Sequence, residues 1–139
     1  MIPSMFSESP PEMQEHAAVD FVNTVRYIIS IFAIQGGAMV RQPNTTTTGG
    51  AFNELTIFLM WNKATEVPGY DSSKYRKDRC GTWIERASYG TLGDRGWEID
   101  HIKPVAQRGS DELSNLQPLH WKNNRGKGDS YPNWSCTVI

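Results

Sequence analysis

Between positions 97 and 127 the chain reads Trp-Glu-Ile-Asp-His-Ile-Lys-Pro-Val-Ala-Gln-Arg-Gly-Ser-Asp-Glu-Leu-Ser-Asn-Leu-Gln-Pro-Leu-His-Trp-Lys-Asn-Asn-Arg-Gly-Lys. Two short apolar runs flank a Gly/Ser turn, and a polar, basic segment follows. The pattern predicts a strand over 97–102, a loop over 103–112, a strand over 115–120 and a helix over about 121–128. In the first strand Ile99 and Ile102 can pack on one side, while Asp100 faces the other way by alternation. His101 falls where the strand gives way to Lys103-Pro104. Pro104 has no N–H to offer a ladder, which supports leaving the sheet there. Gly109 lets the loop bend back, and Leu116 and Leu119 anchor the second strand. Asn124 then lies on a helix that crosses the open face of the hairpin.

Hydrolysis of a phosphodiester needs an activated water, an aligned attack and stabilised charge on the leaving oxygen. A histidine near its ordinary pKa can take the proton. A hard divalent ion can stabilise the leaving oxygen, and Mg²⁺ prefers oxygen ligands, with only one or two from protein. Asp100 and the Asn124 side-chain oxygen form such a sparse set. Lys103, Arg108, Lys122, Arg125 and Lys127 are spaced to hold a phosphate backbone.

With these residues in order, the segment resembles the HNH (ββα-metal) endonuclease family. There a strand ends in Asp-His, a Gly/Ser/Asp loop leads to Asn-Leu, and a final Asn or His lies on the helix. The ending Asn-Asn-Arg-Gly-Lys-Gly-Asp is similar to the HNH domain of RNA-guided CRISPR nucleases, although nothing else in the chain resembles such a large effector. The resemblance implies His101 as general base and Asn115 as the residue bracing the loop that aims it. It implies Asp100 and Asn124 as ligands of one divalent metal, Mg²⁺ first, with Mn²⁺ or another transition metal as substitutes. Asn124 is preferred to Asn123 on its spacing to Arg-Gly-Lys, because neighbours on a helix point about 100° apart. Many family members also bind a structural zinc through two Cys-x-x-Cys pairs. Here the later positions hold His120 and Asn123, and the earlier pair offers only Cys80, so a four-cysteine zinc site is not expected. The hydrophobic segments at 52–90 and the aromatic tail are expected to replace it as scaffold.

The rest of the chain sets the frame. Its 139 residues suit one domain with an appendage. Net charge is −1, yet residues 1–70 carry three Lys/Arg against six Asp/Glu, and residues 71–139 carry eleven against nine. The basic groups thus gather in the half that holds the motif, which fits a local phosphate footprint. Cys80 and Cys136 are read as two reduced thiols in a cytoplasmic protein. The start of the chain lacks a basic n-region. Its most apolar stretch, 27–40, is shorter than the ~20 residues a membrane span needs.

Residues 1–12, rich in Ser, Pro and Glu, are expected to be a disordered tail. Apolar spacing predicts a helix over 13–38 that packs on the domain, pairs with another copy or binds a partner. Residues 41–50, with four consecutive threonines, read as a linker. A helix is expected over 52–63, burying Leu55, Phe58 and Leu59, with Trp61 a further candidate. Residues 71–79 read as a charged surface and 82–89 as a short helix. His16 and Glu98 are expected to face solvent, and His120 is open between ligand, phosphate contact and packing.

The expected fold class is α+β: a ββα-metal nuclease core with additional N-terminal helices, in which 13–50 is helix plus linker and 51–139 the nuclease domain. The expected function is metal-dependent hydrolysis of DNA, with a homo-oligomer or protein partner through 13–38. Two alternatives are a non-catalytic nucleic-acid-binding ββα module and a partner-regulated toxin or defence nuclease.

Overall fold

The computed structural model describes residues 41–139, which form one compact unit. The tail, the helix expected over 13–38 and His16 lie outside the described residues. The first element is α1 (Glu54–Lys63). It starts at Asn53 because the Asn53 side chain accepts the otherwise unpaired Thr56 N–H at 2.8 Å. The short strands β1 (Tyr75–Lys77) and β2 (Trp83–Glu85) pair antiparallel. A 3₁₀ turn, Arg86–Ser88, follows. Then come β3 (Trp97–His101), β4 (Leu116–His120) and α2 (Trp121–Lys127). The result is a small α+β unit of two helices and two small antiparallel sheets, and the β3–β4–α2 part has the expected order, each bound within one residue of the expectation.

The β3–β4 register sets Ile99 opposite Pro118 and Asp100 opposite Gln117. In an antiparallel ladder the members of a facing pair both turn their N–H groups inward or both outward. The Ile99 N–H turns outward, to Asn44 Oδ1 at 2.8 Å, so the N–H that Pro118 lacks takes nothing from the ladder. Every residue of β3 is buried, because both faces are covered. Trp97 and Ile99 join Phe52, Met60, Trp61, Ile84 and Leu116 in the apolar core. Glu98 and Asp100, on the opposite face by alternation, meet α2.

Several expectations are corrected. In α1 the buried residues are Met60 and Trp61, whereas Leu55 is 65% and Phe58 45% exposed. Two tryptophans explain the choice of face: Trp61 packs on Trp97 with centroids 5.6 Å apart, and its indole N–H donates to Ser72 O. The charged run 71–79 is half inside. Arg76 is buried and donates to the Ser72, Asn62 and Ala64 carbonyls. The segment expected as a helix at 82–89 is β2 followed by the 3₁₀ turn. The Thr-rich stretch lies against the unit: Asn44, in the left-handed region at φ 58°, accepts from Ile99 N and Tyr89 Oη.

The cysteines are also corrected. Cys80 and Cys136 form a disulfide. Beside Cys80 sits a polar hub. Asp78 accepts from Cys80 N, Thr82 N, His120 N and Asn123 Nδ2. Asn123 Oδ1 accepts from Thr137 N and Val138 N, which ties the tail to α2. Gly126 makes room for that tail, since a Cβ there would lie 2.0 Å from Thr137 Oγ1. Spacing alone gave no hint of this pairing, since 56 residues separate the thiols.

Candidate active site

Asp100 sits on β3 with its carboxylate inside the unit. It accepts from Gln117 Nε2 at 2.8 Å and from Lys127 Nζ at 3.2 Å. Burial pushes its pKa up, and the Gln117 amide and the Lys127 charge only partly offset this. Lys127 is itself 1% exposed, and its ammonium also donates to His101 O at 2.9 Å. Lys127 is therefore turned to the carboxylate and away from solvent, which corrects its expected place among residues that hold a phosphate backbone. Lys103, Arg108 and Lys122 are exposed. Arg125 is divided: its guanidinium spans both Glu98 oxygens at 3.4 Å and lies over the Trp121 ring.

His101 closes β3. Its Nε2 lies 2.7 Å from Asp111 Oδ1, and the Phe52 ring packs 6.0 Å from it. Asp111 also accepts from Thr47 N and Thr47 Oγ1. Desolvation raises the Asp111 pKa, but the bonds from His101 and Thr47 outweigh it, and the net shift is downward. The Thr-rich segment thus reaches the carboxylate that holds His101. Among the described residues, no protein group meets His101 Nδ1.

Asn115 spans the loop between the strands. Its Oδ1 accepts from Lys103 N, and its Nδ2 donates to Lys103 O and Ser110 O. Gly109 lies against the same turn: a Cβ there would be 1.7 Å from Lys103 O, so only glycine fits.

The two adjacent asparagines of α2 do different things. Asn123 is fully buried and spends both ends of its amide on Asp78, Thr82 and the tail. Asn124 turns to β3, where its Nδ2 donates to Glu98 Oε1 at 3.2 Å. Its Oδ1 meets no donor among the described residues. Asp100 on β3 thus bonds to Lys127 of α2, and Asn124 on α2 bonds to Glu98 of β3, which leaves one buried amide oxygen without a donor among the described residues. His120 is packed: its Nδ1 accepts from Lys122 N at the start of α2, and its Nε2 meets Asp94 O.

Three contributors escaped the sequence reading. Glu98, expected to face solvent, is 1% exposed. Strand alternation could have found it, since residues 98 and 100 share a face. Asp111 had a weak signal in the Ser-Asp-Glu turn, whereas Thr47, more than sixty positions away, had none.

The family model for HNH endonuclease matches residues 79–130, the stretch that contains β2, β3, β4 and α2. No curated protein and no solved structure gives a significant match to the chain. Among the described residues no three His, Cys, Asp or Glu side chains cluster as a metal site, and no helix is long and apolar enough to cross a membrane.

Proposed function

We propose that the chain is an endonuclease that hydrolyses DNA phosphodiesters with His101 as general base and one divalent cation held by Asp100 and Asn124. The observation that carries the reading is the buried Asn124 Oδ1, without a donor among the described residues, on the helix whose Lys127 reaches the Asp100 carboxylate. Asp100 and Asn124 would offer such an ion two hard oxygen donors and no thiolate, a set that suits Mg²⁺ or Mn²⁺. When bound, such an ion supplies charge stabilisation at the leaving oxygen.

The chain's own residues carry the rest. Asp111, held ionised by its bonds, can only accept, so Nε2 of His101 bears the proton and Nδ1 is the basic nitrogen. Asn115 fixes the turn after His101 through both ends of its amide, which limits the directions in which the ring can point. Lys127 neutralises Asp100 before any cation enters and donates to the His101 carbonyl, so the strand end keeps its position. Lys103, Arg108, Lys122 and Arg125 supply the positive surface for the phosphate backbone.

A digest of supercoiled plasmid by the full chain tests this. Nicked or linear product is expected with Mg²⁺ or Mn²⁺ and none with EDTA. Binding of DNA without conversion in either metal would favour the rival, a non-catalytic ββα binding module.

A further inference from the structure

Glu98 is a fully buried carboxylate that the reaction described above does not use. It lies two residues before Asp100 on β3, and among the described residues its carboxylate is hydrogen-bonded only by α2: Asn124 Nδ2 at 3.2 Å and the Arg125 guanidinium at 3.4 Å. Burying a carboxylate is costly unless it is paired, and an apolar side chain would pack between strand and helix without that cost. The group therefore has a task that an apolar residue could not perform.

We propose that Glu98 is a positioning residue that sets which end of the Asn124 amide faces the site. The inference rests on the reading that Asp100 and Asn124 hold the cation. An asparagine amide has two ends of nearly equal size, an acceptor oxygen and a donor nitrogen. Rotation by half a turn exchanges them. With the nitrogen forward, Asn124 would offer two N–H groups to a cation, which it cannot ligate. A carboxylate accepts and does not donate, so Glu98 discriminates between the ends: it takes Nδ2 and leaves Oδ1 forward. No other hydrogen bond among the described residues reaches either end of this amide. Arg125 supplies the counter-charge, so one residue of α2 holds Glu98 while its neighbour is oriented by it. Partners of this kind behind a metal ligand typically contribute 10–100-fold in affinity.

The test measures Mn²⁺ affinity of the full chain by electron paramagnetic resonance, without DNA and without turnover. Glu98→Gln, whose amide can donate or accept, is expected to weaken Mn²⁺ binding at least about tenfold, with thermal unfolding confirming the fold. Adding Asn124→Asp to Glu98→Gln restores a one-way pair, because the new amide donates to one carboxylate oxygen and leaves the other forward. The double variant is expected to bind more tightly than either single change. Unchanged affinity in Glu98→Gln, or a double variant no better than Asn124→Asp alone, would overturn the proposal while leaving the nuclease reading intact. If the wild type and Asp100→Ala bind Mn²⁺ equally poorly, the metal reading fails, and this proposal with it. Should Glu98→Gln not fold, the wild-type Asn124 side-chain NH₂ signals decide. Slow hydrogen exchange in EDTA supports the Glu98 bond, and exchange at the solvent rate rejects it.

Discussion

Replacing Asn123 with alanine should unfold the domain more readily than any change at its neighbour Asn124. Asn123 makes five hydrogen bonds: three from Nδ2, to Asp78, Thr82 and Val138, and two to Oδ1, from the Thr137 and Val138 amides. Alanine removes all five. Asp78 and Thr82 are buried and keep their other partners, so each loses one bond, of about 1.5–3 kcal/mol to the charged Asp78 and about 0.5–1.5 kcal/mol to Thr82. The partners in the tail lie nearer the surface and can find water, at about 0.5–1 kcal/mol each. The expected loss is about 3–5 kcal/mol, against a total of roughly 5–15 kcal/mol for a domain. At about 4–8 °C per kcal/mol for this size, Tm should fall by on the order of 15 °C or more. Asn124→Ala removes one bond, to Glu98, and should cost about 1 kcal/mol. Urea unfolding of both variants in EDTA checks this, paired with Mg²⁺ titration of cleavage at a temperature where both are folded. Asn123→Ala should keep its metal dependence and Asn124→Ala should lose it. A loss below about 1 kcal/mol at Asn123, or a metal defect as severe as that of Asn124→Ala, would refute the division of labour described here.

Other outcomes follow from the same contacts. Cys136→Ser should destabilise the domain by about 4 kcal/mol in the chain-entropy treatment, since the bond closes a loop of 56 residues; calorimetry against the wild type with and without reductant measures it. Asp111 has a folded pKa below its ordinary value, so its contribution to stability is present above the unfolded carboxylate pKa and fades as pH falls through the folded one. Asp111→Asn should therefore flatten the acid side of the stability–pH curve, and a curve parallel to the wild type would refute this. Gly109→Ala places a methyl against the Lys103 carbonyl, so the loop behind His101 must shift. Cleavage is expected to fall at least about tenfold with the β3–β4 amide signals retained, since small misplacements of catalytic groups cost up to about 10²-fold.

How much was legible in the sequence differs along the chain. The β3–β4–α2 core could be read because its signals are local: alternation around Asp100, a proline after the strand and glycine at the bend. Helical geometry says that Asn123 and Asn124 point in different directions, and that Asn123 is spent on Asp78, Thr82 and the tail appears only with the tail in place. The faces of α1 were misread because six of its ten residues are large and apolar, so periodicity could not say which would meet Trp97. β2 was misread as helix because three residues are too few to show alternation. The disulfide, the Asp78 hub and the Thr47–Asp111 contact join positions more than forty residues apart, and no local pattern encodes them. Glu98 is the exception: its place beside Asp100 followed from alternation, and only its charge argued for solvent.

The central claim is that His101 takes the proton in a metal-assisted cleavage of DNA. It is tested most directly by the single-turnover rate of plasmid nicking in Mg²⁺ for the wild type and His101→Ala. DNA affinity in EDTA and Tm are recorded on the same samples. The account predicts a rate lower by about 10²–10⁴-fold with affinity and Tm close to wild type. A variant that keeps more than about a tenth of the wild-type rate would contradict it, since that is less than the loss of a general base costs.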